Sequence, residues 1–168
     1  IEETLRALNY LIDSGKVRYI GCSNFTSWQL AMSLESSKSN NLEKFITVQP
    51  EYSLMNRDIE AELIPACEYY NIGILPYFPL ASGALTGKYK RGEDLPEGTR
   101  LGENKERAGQ ILTSDTFSLL ESLEIFAKAR NKSLLDLAFA WLLANPLVSS
   151  VIAGATKPEQ VVANARTA

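Results

Sequence analysis

Leu5, Leu8, Leu11 and Ile12 recur at the spacing of one helical face, which predicts a helix from Glu2 to Gly15 with Gly15 as its stop. The pattern then shortens: Lys16 to Cys22 is a β-rich run that ends at Ser23, Asn24 and Phe25. Thr26 or Ser27 can cap a helix through Trp28, Leu30, Ala31 and Leu34, which dissolves into the polar stretch from Ser36 to Asn41. Phe45 to Val48 is again strand-like, and Ile59, Leu63, Ala66 and Tyr70 share one face of a helix running to Tyr70. Ile72 to Pro76 predicts a third strand, with Pro79 to Gly83 as a turn after it. Lys88 to Thr113 differs in kind, being rich in Gly, Pro and charge, without periodicity, and far longer than the ordinary loop of about 4–6 residues. Such a stretch is either disordered or a functional lid. Two helices follow: Phe117 to Ala129, capped by Ser114 or Asp115, and Leu137 to Asn145, begun at Ser133 or Leu134 and closed by Pro146. Ser149 to Ala153 predicts a fourth strand, Gly154 to Lys157 a turn, and Pro158 a helix start with proline at its first position.

Strands alternating with helices imply parallel pairing and right-handed crossovers. The near-continuous apolar runs Phe45 to Val48 and Val151 to Ala153 suit a sheet buried on both faces. The 168 residues are those of one domain or part of one, and 45% hydrophobic with 22% charged is a globular composition. Seventeen Lys and Arg against 20 Asp and Glu give a net charge of −3, which argues against nucleic acid as a partner. No apolar run reaches the length of a membrane span, and the two distant cysteines, Cys22 and Cys67, fit a reducing cytoplasm. There is no histidine, so His-based nucleophilic triads, His-ligated zinc and His acid–base chemistry are outside what this chain can do alone.

In each of the four strand–helix units the distinctive residues fall just after the strand: Ser23 and Asn24, Gln49 with Tyr52, Tyr77 to Ser82, and Gly154 to Lys157. In a parallel α/β architecture these positions converge at the carboxyl edge of the sheet, where ligands bind. Gly154, Ala155 and Thr156 are small enough to let backbone N–H groups approach an anion at a helix start, and Lys157 adds a positive charge. Asn24 and Gln49 each offer donor and acceptor to an amide-bearing ligand. Tyr77 reads either as a stacking platform for a planar ring or as a core aromatic. Cys22 reads as a small buried strand residue, and the acidic neighbours Glu2/Glu3, Glu60/Glu62 and Glu93/Asp94 as solvated surface.

These motifs together resemble the aldo-keto reductases. The resemblance is carried by Gly15 to Phe25, by Val48-Gln49-Pro50-Glu51-Tyr52-Ser53, by Pro79 to Gly83 with Leu85 to Tyr89, and by Val151 to Gln160. It covers nearly the whole chain in the right order and is nearest to the bacterial and potassium-channel β-subunit-like branch. The resemblance implies a parallel (β/α)8 TIM barrel that transfers hydride between NADP(H) and a small-molecule carbonyl or alcohol. It implies that Ser23, Asn24 and Gln49 hold the nicotinamide carboxamide, with Tyr77 stacked on the ring. Pro79, Leu80, Ser82 and Lys88 would line the pyrophosphate, with Arg100 reaching in from the long loop. Gly154, Thr156, Lys157 and Gln160 would surround the 2′-phosphate, and Asn164 would face the adenine. Ala163 departs from the family, which usually has an acid there.

The family's catalytic Asp, Tyr, Lys and His come from its first four βα units. A barrel needs about 250 residues, so the expectation is that residues 1–168 are the C-terminal half of one aldo-keto reductase domain, its last four βα units. On that expectation this chain holds most of the cofactor site but no catalytic residue, and needs an N-terminal half-barrel to act. The alternatives are a nicotinamide-cofactor sensor like the channel β subunits, or an inactive fragment.

Overall fold

The computed structural model describes residues 1–167. Helices and strands alternate through α1 (Glu2–Asp13), β1 (Ile20–Ser23), α2 (Ser27–Ser39), β2 (Phe45–Gln49), α3 (Leu63–Tyr70) and β3 (Gly73–Ile74). Four helices follow: α4 (Lys105–Ile111), α5 (Ser114–Lys128), α6 (Leu134–Leu143) and α7 (Pro158–Arg166). The strands pair in the order β1-β2-β3, all parallel, with α2 and α3 as the crossovers that parallel neighbours require.

Local chemistry explains the boundaries. α2 opens with a capping box in which Gln29 N–H donates to Thr26 Oγ1 and Thr26 N–H donates to Gln29 Oε1. Ser133 and Asp136 do the same for α6. The single helix expected over 59–70 is instead a 3-10 turn at Asp58–Glu60 followed by α3. Pro65 is the reason: it has no N–H for the Ala61 carbonyl and is tolerated only within a first turn, so the helix starts afresh at Leu63.

Cys22, Val48 and Ile74 lie in one cross-strand row, with Val148 bridged to Ile74, and all four are buried with Leu5, Leu30, Leu63 and Leu142 from the helices. The adjacent row, Gly21, Thr47 and Gly73, points to the opposite face. A Cβ on Gly21 would collide with the Thr47 side chain, and one on Gly73 with the Ser149 hydroxyl. On that second face Gly21 and Ser149 are exposed and Thr47 and Gly73 half-buried among the described residues.

The fourth strand expected at Ser149 to Ala153 is extended chain, joined to β3 by a single bridge. Ile74 N–H donates to the Leu147 carbonyl and Ser149 N–H to that of Ile74. The next donor in the ladder would be Pro76, which has no N–H, and the following bond comes from Ile152 N–H to the Pro76 carbonyl. Proline therefore interrupts the ladder where sequence pattern alone continues it.

The long stretch 88–113 contains α4. Tyr89, Leu101 and Ala108 form a small core of their own, and Leu101 N–H donates to the Tyr89 hydroxyl at 3.4 Å. Lys90 pairs with Glu124 at 3.0 Å and Arg91 with Glu121 at 2.9 Å, tying the base of the stretch to α5. Among the described residues no helix is long and apolar enough to cross a membrane.

Leu142 is 0% exposed and Leu143 39% exposed on neighbouring positions of α6. Leu142→Ala is expected to cost about 2–5 kcal/mol of unfolding free energy, and Leu143→Ala less than about 0.5 kcal/mol. Urea denaturation of the two variants checks this, and equal losses would contradict the packing of α6.

Candidate functional site

The carboxyl edge of the sheet is organised by one acceptor. The Gln49 backbone carbonyl accepts from the Ser23 hydroxyl at 2.9 Å and from the Asn24 N–H at 3.1 Å. Asn24 has φ 56°, in the left-handed region that asparagine tolerates better than most residues, so its side chain turns over the edge. There Asn24 Oδ1 accepts from the Tyr77 hydroxyl at 2.9 Å. Tyr77 N–H donates to the Pro50 carbonyl at 3.0 Å, and Glu51 bridges to Tyr77, so the segment beyond β3 continues beside the segment beyond β2. Ser23, Asn24, Gln49 and Tyr77 are thus brought together. Tyr77 is half-buried at this edge and not sealed in the core. The Asn24 amide NH2 and the Gln49 side-chain amide make no hydrogen bond among the described residues.

The turn after Tyr77 is unusual in its backbone. Phe78, Ala81, Ser82 and Gly83 have φ of 51°, 46°, 57° and 95°. Such conformations cost about 1 kcal/mol or more at each non-glycine position and persist where their surroundings over-determine them. Pro79 and Ser82 are buried, and Leu80 is half-buried against the α5–α6 core. Gly83, at φ 95°, holds a conformation that L side chains rarely adopt, and the Lys88 ammonium lies against it, 5.2 Å from the Tyr89 ring centroid.

Phe78 carries two cations from the long stretch. The guanidinium groups of Arg100 and Arg107 lie 5.5 Å and 5.3 Å from its ring centroid. Neither arginine has a carboxylate partner among the described residues, and Arg107 Nε is buried without a hydrogen-bond acceptor. Sequence reasoning placed Arg100 here but missed Phe78 and Arg107. Phe78 sits between Tyr77 and Pro79, whose residue types carry the motif, and Arg107 lies in a charge-rich stretch with no period to single it out.

The second group lies on the turn into α7. Extended chain through Ile152 runs beside Pro76, which delivers Gly154 to the same edge of the sheet. Thr156 N–H and hydroxyl both donate to Gln160 Oε1, at 2.7 and 3.2 Å. Lys157 is the N-cap, exposed and making no capping bond, with Pro158 at the first helical position. Gly154, Thr156, Lys157 and Gln160 are therefore one cluster, with Asn164 half-buried one turn further along α7. No hydrogen bond links this cluster to the Ser23–Tyr77 group among the described residues.

Two other features have a structural role. Cys22 and Cys67 are buried, and burial pushes each thiol up to about 11, the opposite of what a nucleophile needs. Glu60, expected as solvated surface, instead accepts from the Tyr52 hydroxyl at 2.9 Å and from Arg57 through two bonds of 2.9 and 2.8 Å. Arg57 holds the Glu60 carboxyl below its usual range and also lies 5.3 Å over the Trp141 ring. Burial, then the bond to Glu60, pushes Tyr52 up to about 12. Glu62 accepts from the Ser27 hydroxyl at 2.9 Å. These contacts brace the loop that leaves Gln49.

The family model described as the Aldo/keto reductase family matches residues 1–168. The chain is 41% identical over 167 residues to a probable voltage-gated potassium channel subunit beta of Oryza sativa subsp. japonica, covering 98% of this chain and 51% of that protein. It is 33% identical over 169 residues to the L-glyceraldehyde 3-phosphate reductase of Escherichia coli, covering 98% of this chain and 48% of that one. The solved structure of a glycerol dehydrogenase from Gluconobacter oxydans superposes with a TM-score of 0.77 at 30% identity, over 95% of this chain and 46% of that one. The chain spans about half the length of the curated relatives it matches. Its parallel sheet and helices are part of a (β/α)8 barrel.

Cys22, Cys67 and Tyr52 keep their protons to higher pH when folded than the usual 9.0 and 10.0. Above about pH 9 the unfolded chain binds fewer protons than the folded one, so stability is full below that pH and falls as pH rises through about 11–12. Chemical denaturation at pH 8 and pH 10.5 measures the decline, and a flat profile would contradict these burials. Phe78→Leu removes both cation–π contacts, and amide exchange across α4 is expected to quicken roughly fivefold to tenfold. Unchanged exchange would show that the stretch docks by other means.

Proposed function

The chain belongs to the aldo/keto reductase family, and from that membership we propose that it holds NADP(H) for an oxidoreductase acting on small-molecule aldehydes, ketones or the corresponding alcohols. The bound nicotinamide would supply the hydride or accept it. The observation that carries this reading is the convergence of Ser23, Asn24, Gln49 and Tyr77 at one sheet edge, with amide donors and acceptors left over. A carboxamide offers the matching donors and an acceptor. Ser23, Asn24 and Gln49 orient it, and the Tyr77 ring supplies flat apolar area.

The remaining residues divide the anionic part of the cofactor between them. Pro79, Leu80 and Ser82 shape the strained turn, Lys88 lies across it at Gly83, and Arg100 is held over Phe78 without an ion-pair partner. Gly154, Thr156, Lys157 and Gln160 take the 2′-phosphate at the start of α7, where the N-terminal dipole and the Lys157 charge favour an anion. Asn164, one turn on, faces the adenine. The proton-transfer groups come from an N-terminal half-barrel, because this chain has no histidine and its tyrosine at the edge is committed to Asn24. Residues 1–168 are on this reading the C-terminal half of one domain, working in the cytoplasm, in keeping with two free buried cysteines.

The 41% identity to the rice channel subunit supports a second reading, a cofactor-occupied regulatory module in which binding matters more than turnover. Carbonyl reduction by the complete protein at ordinary enzymatic rates decides for the first; tight cofactor binding with negligible turnover decides for the second.

Lys157→Ala in the complete protein is expected to weaken NADPH about tenfold and to leave NADH unchanged, since only NADPH carries the phosphate that the ammonium meets. Fluorescence titration of both cofactors measures the split. Equal weakening of both would remove the 2′-phosphate assignment.

A further inference from the structure

Regular pairing of β2 with β3 ends at Val48 and Ile74, followed by a bond from Leu75 N–H to the Val48 carbonyl at 2.9 Å. The next donor in a parallel ladder would be residue 50, which is Pro50 and has no N–H. Tyr77 therefore lies beyond a gap in the ladder. Two backbone bonds hold it to the neighbouring segment: its N–H donates to the Pro50 carbonyl at 3.0 Å, and its carbonyl accepts from Tyr52 N–H at 3.3 Å. The chain on the far side of β3 bonds Ile74 and Pro76 but not Tyr77 among the described residues. The position of the Tyr77 backbone thus depends on where residues 50–52 are held.

Their anchor is the buried side chain of Tyr52. Its ring lies 5.0 Å from that of Trp141 on α6, and its hydroxyl donates to Glu60 Oε1 at 2.9 Å. Arg57 fixes that acceptor through two bonds of 2.9 and 2.8 Å, and its guanidinium lies 5.3 Å from the Trp141 ring centroid. Phenylalanine would fill the same space without needing an acceptor, so packing alone does not call for the hydroxyl. What the hydroxyl adds is direction. A bond to a carboxylate that is itself held by Arg57 fixes the height and rotation of the ring, and with them the Tyr52 N–H.

We propose that Tyr52 is a positioning residue for Tyr77: anchored on Glu60 and Trp141, it sets the register of the Tyr77 backbone across the gap left by Pro50, and so the plane that the Tyr77 ring offers to a nicotinamide. This rests on the cofactor reading and adds to it a residue outside the carboxamide and phosphate groups. The Tyr77 ring is then fixed from both ends, its hydroxyl by Asn24 at 2.9 Å and its backbone by Tyr52. The turn before α7 makes no hydrogen bond to Tyr52 or Tyr77 among the described residues, so the effect is confined to the ring end of the cofactor.

The test compares the complete wild-type protein with Tyr52→Phe, which keeps the ring and its packing on Trp141 and loses the hydroxyl. Without cofactor, amide exchange at Tyr77 is expected to quicken roughly fivefold to tenfold, while Leu30 in α2 and Leu120 in α5 exchange as in the wild type. Unchanged exchange at Tyr77, or equal quickening at all three, overturns the proposal. Two probes then separate the ends of the cofactor. NADPH is expected to bind about fivefold more weakly, its bound nicotinamide fluorescence shifted toward that of the free molecule. Adenosine 2′,5′-bisphosphate, which carries the adenine and the 2′-phosphate without a nicotinamide, is expected to bind both proteins alike. Equal weakening of both probes, or NADPH affinity and fluorescence left as they were, overturns the proposal. Glu60→Ala removes the acceptor instead of the donor and is expected to reproduce Tyr52→Phe on each readout; wild-type behaviour overturns the role of the hydroxyl bond. Quickened exchange confined to Tyr77, in protein that binds neither probe, supports the hold of Tyr52 on Tyr77 and counts against the cofactor reading alone.

Discussion

A single carbonyl oxygen sets the geometry of the sheet's carboxyl edge. The Gln49 C=O takes the Asn24 N–H and the Ser23 hydroxyl together, which ends β1 against β2 and turns Asn24 into the left-handed region. From there the Asn24 side chain can accept from Tyr77, and Tyr77 in turn is held by the Pro50 carbonyl. Three segments far apart in sequence are thereby locked to one another by bonds of 2.9 to 3.1 Å. Most of these involve backbone groups, so the edge tolerates side-chain change better than it tolerates a shift of register.

The long stretch is fastened differently at its two ends. Near its base, Lys90 and Arg91 form exposed ion pairs with α5, which are worth little individually in water. At its tip, Arg100 and Arg107 rest on the face of Phe78, and Tyr89, Leu101 and Ala108 form a small core within the same stretch. A cation over an aromatic ring is a contact without a fixed hydrogen-bond direction, and it leaves guanidinium N–H groups available. The tip is therefore ordered while its donors stay uncommitted, whereas the base is closed by charges that already have partners.

Much of this was legible from the chain alone because it depends on local periodicity and capping. The helices α1, α2, α5, α6 and α7 and the strands β1 and β2 follow from apolar spacing and from Thr26, Ser133 and Pro158. What was not legible depends on groups that a residue lacks. Pro65 splits one expected helix and Pro76 dissolves one expected strand, each by withholding an N–H. α4 escaped notice because its seven residues include Gly109 and three charges, and it owes its place to burial of Ala108. In the site, the residues just after each strand were legible by position, and the structure gathers Ser23, Asn24, Gln49 and Tyr77 as that rule implies. Phe78, Arg107 and the Tyr52–Glu60–Arg57 brace were not, since Arg107 meets Phe78 only across a long separation in sequence and the brace depends on how the loop beyond Gln49 folds back on itself.

The row of Gly21, Thr47, Gly73 and the neighbouring Ser149 alternates between no side chain and a short hydroxyl-bearing one. Barrel interiors are filled in layers, each taking its side chains from alternate strands. Thr47 and Ser149 are the members this chain contributes to its layer, and the two glycines are the gaps that let them lean across. The row is accordingly slight in bulk: Thr47 and Ser149 present short, hydroxyl-bearing side chains between the two glycines. Size, as much as hydrophobicity, then determines what can pack against this face.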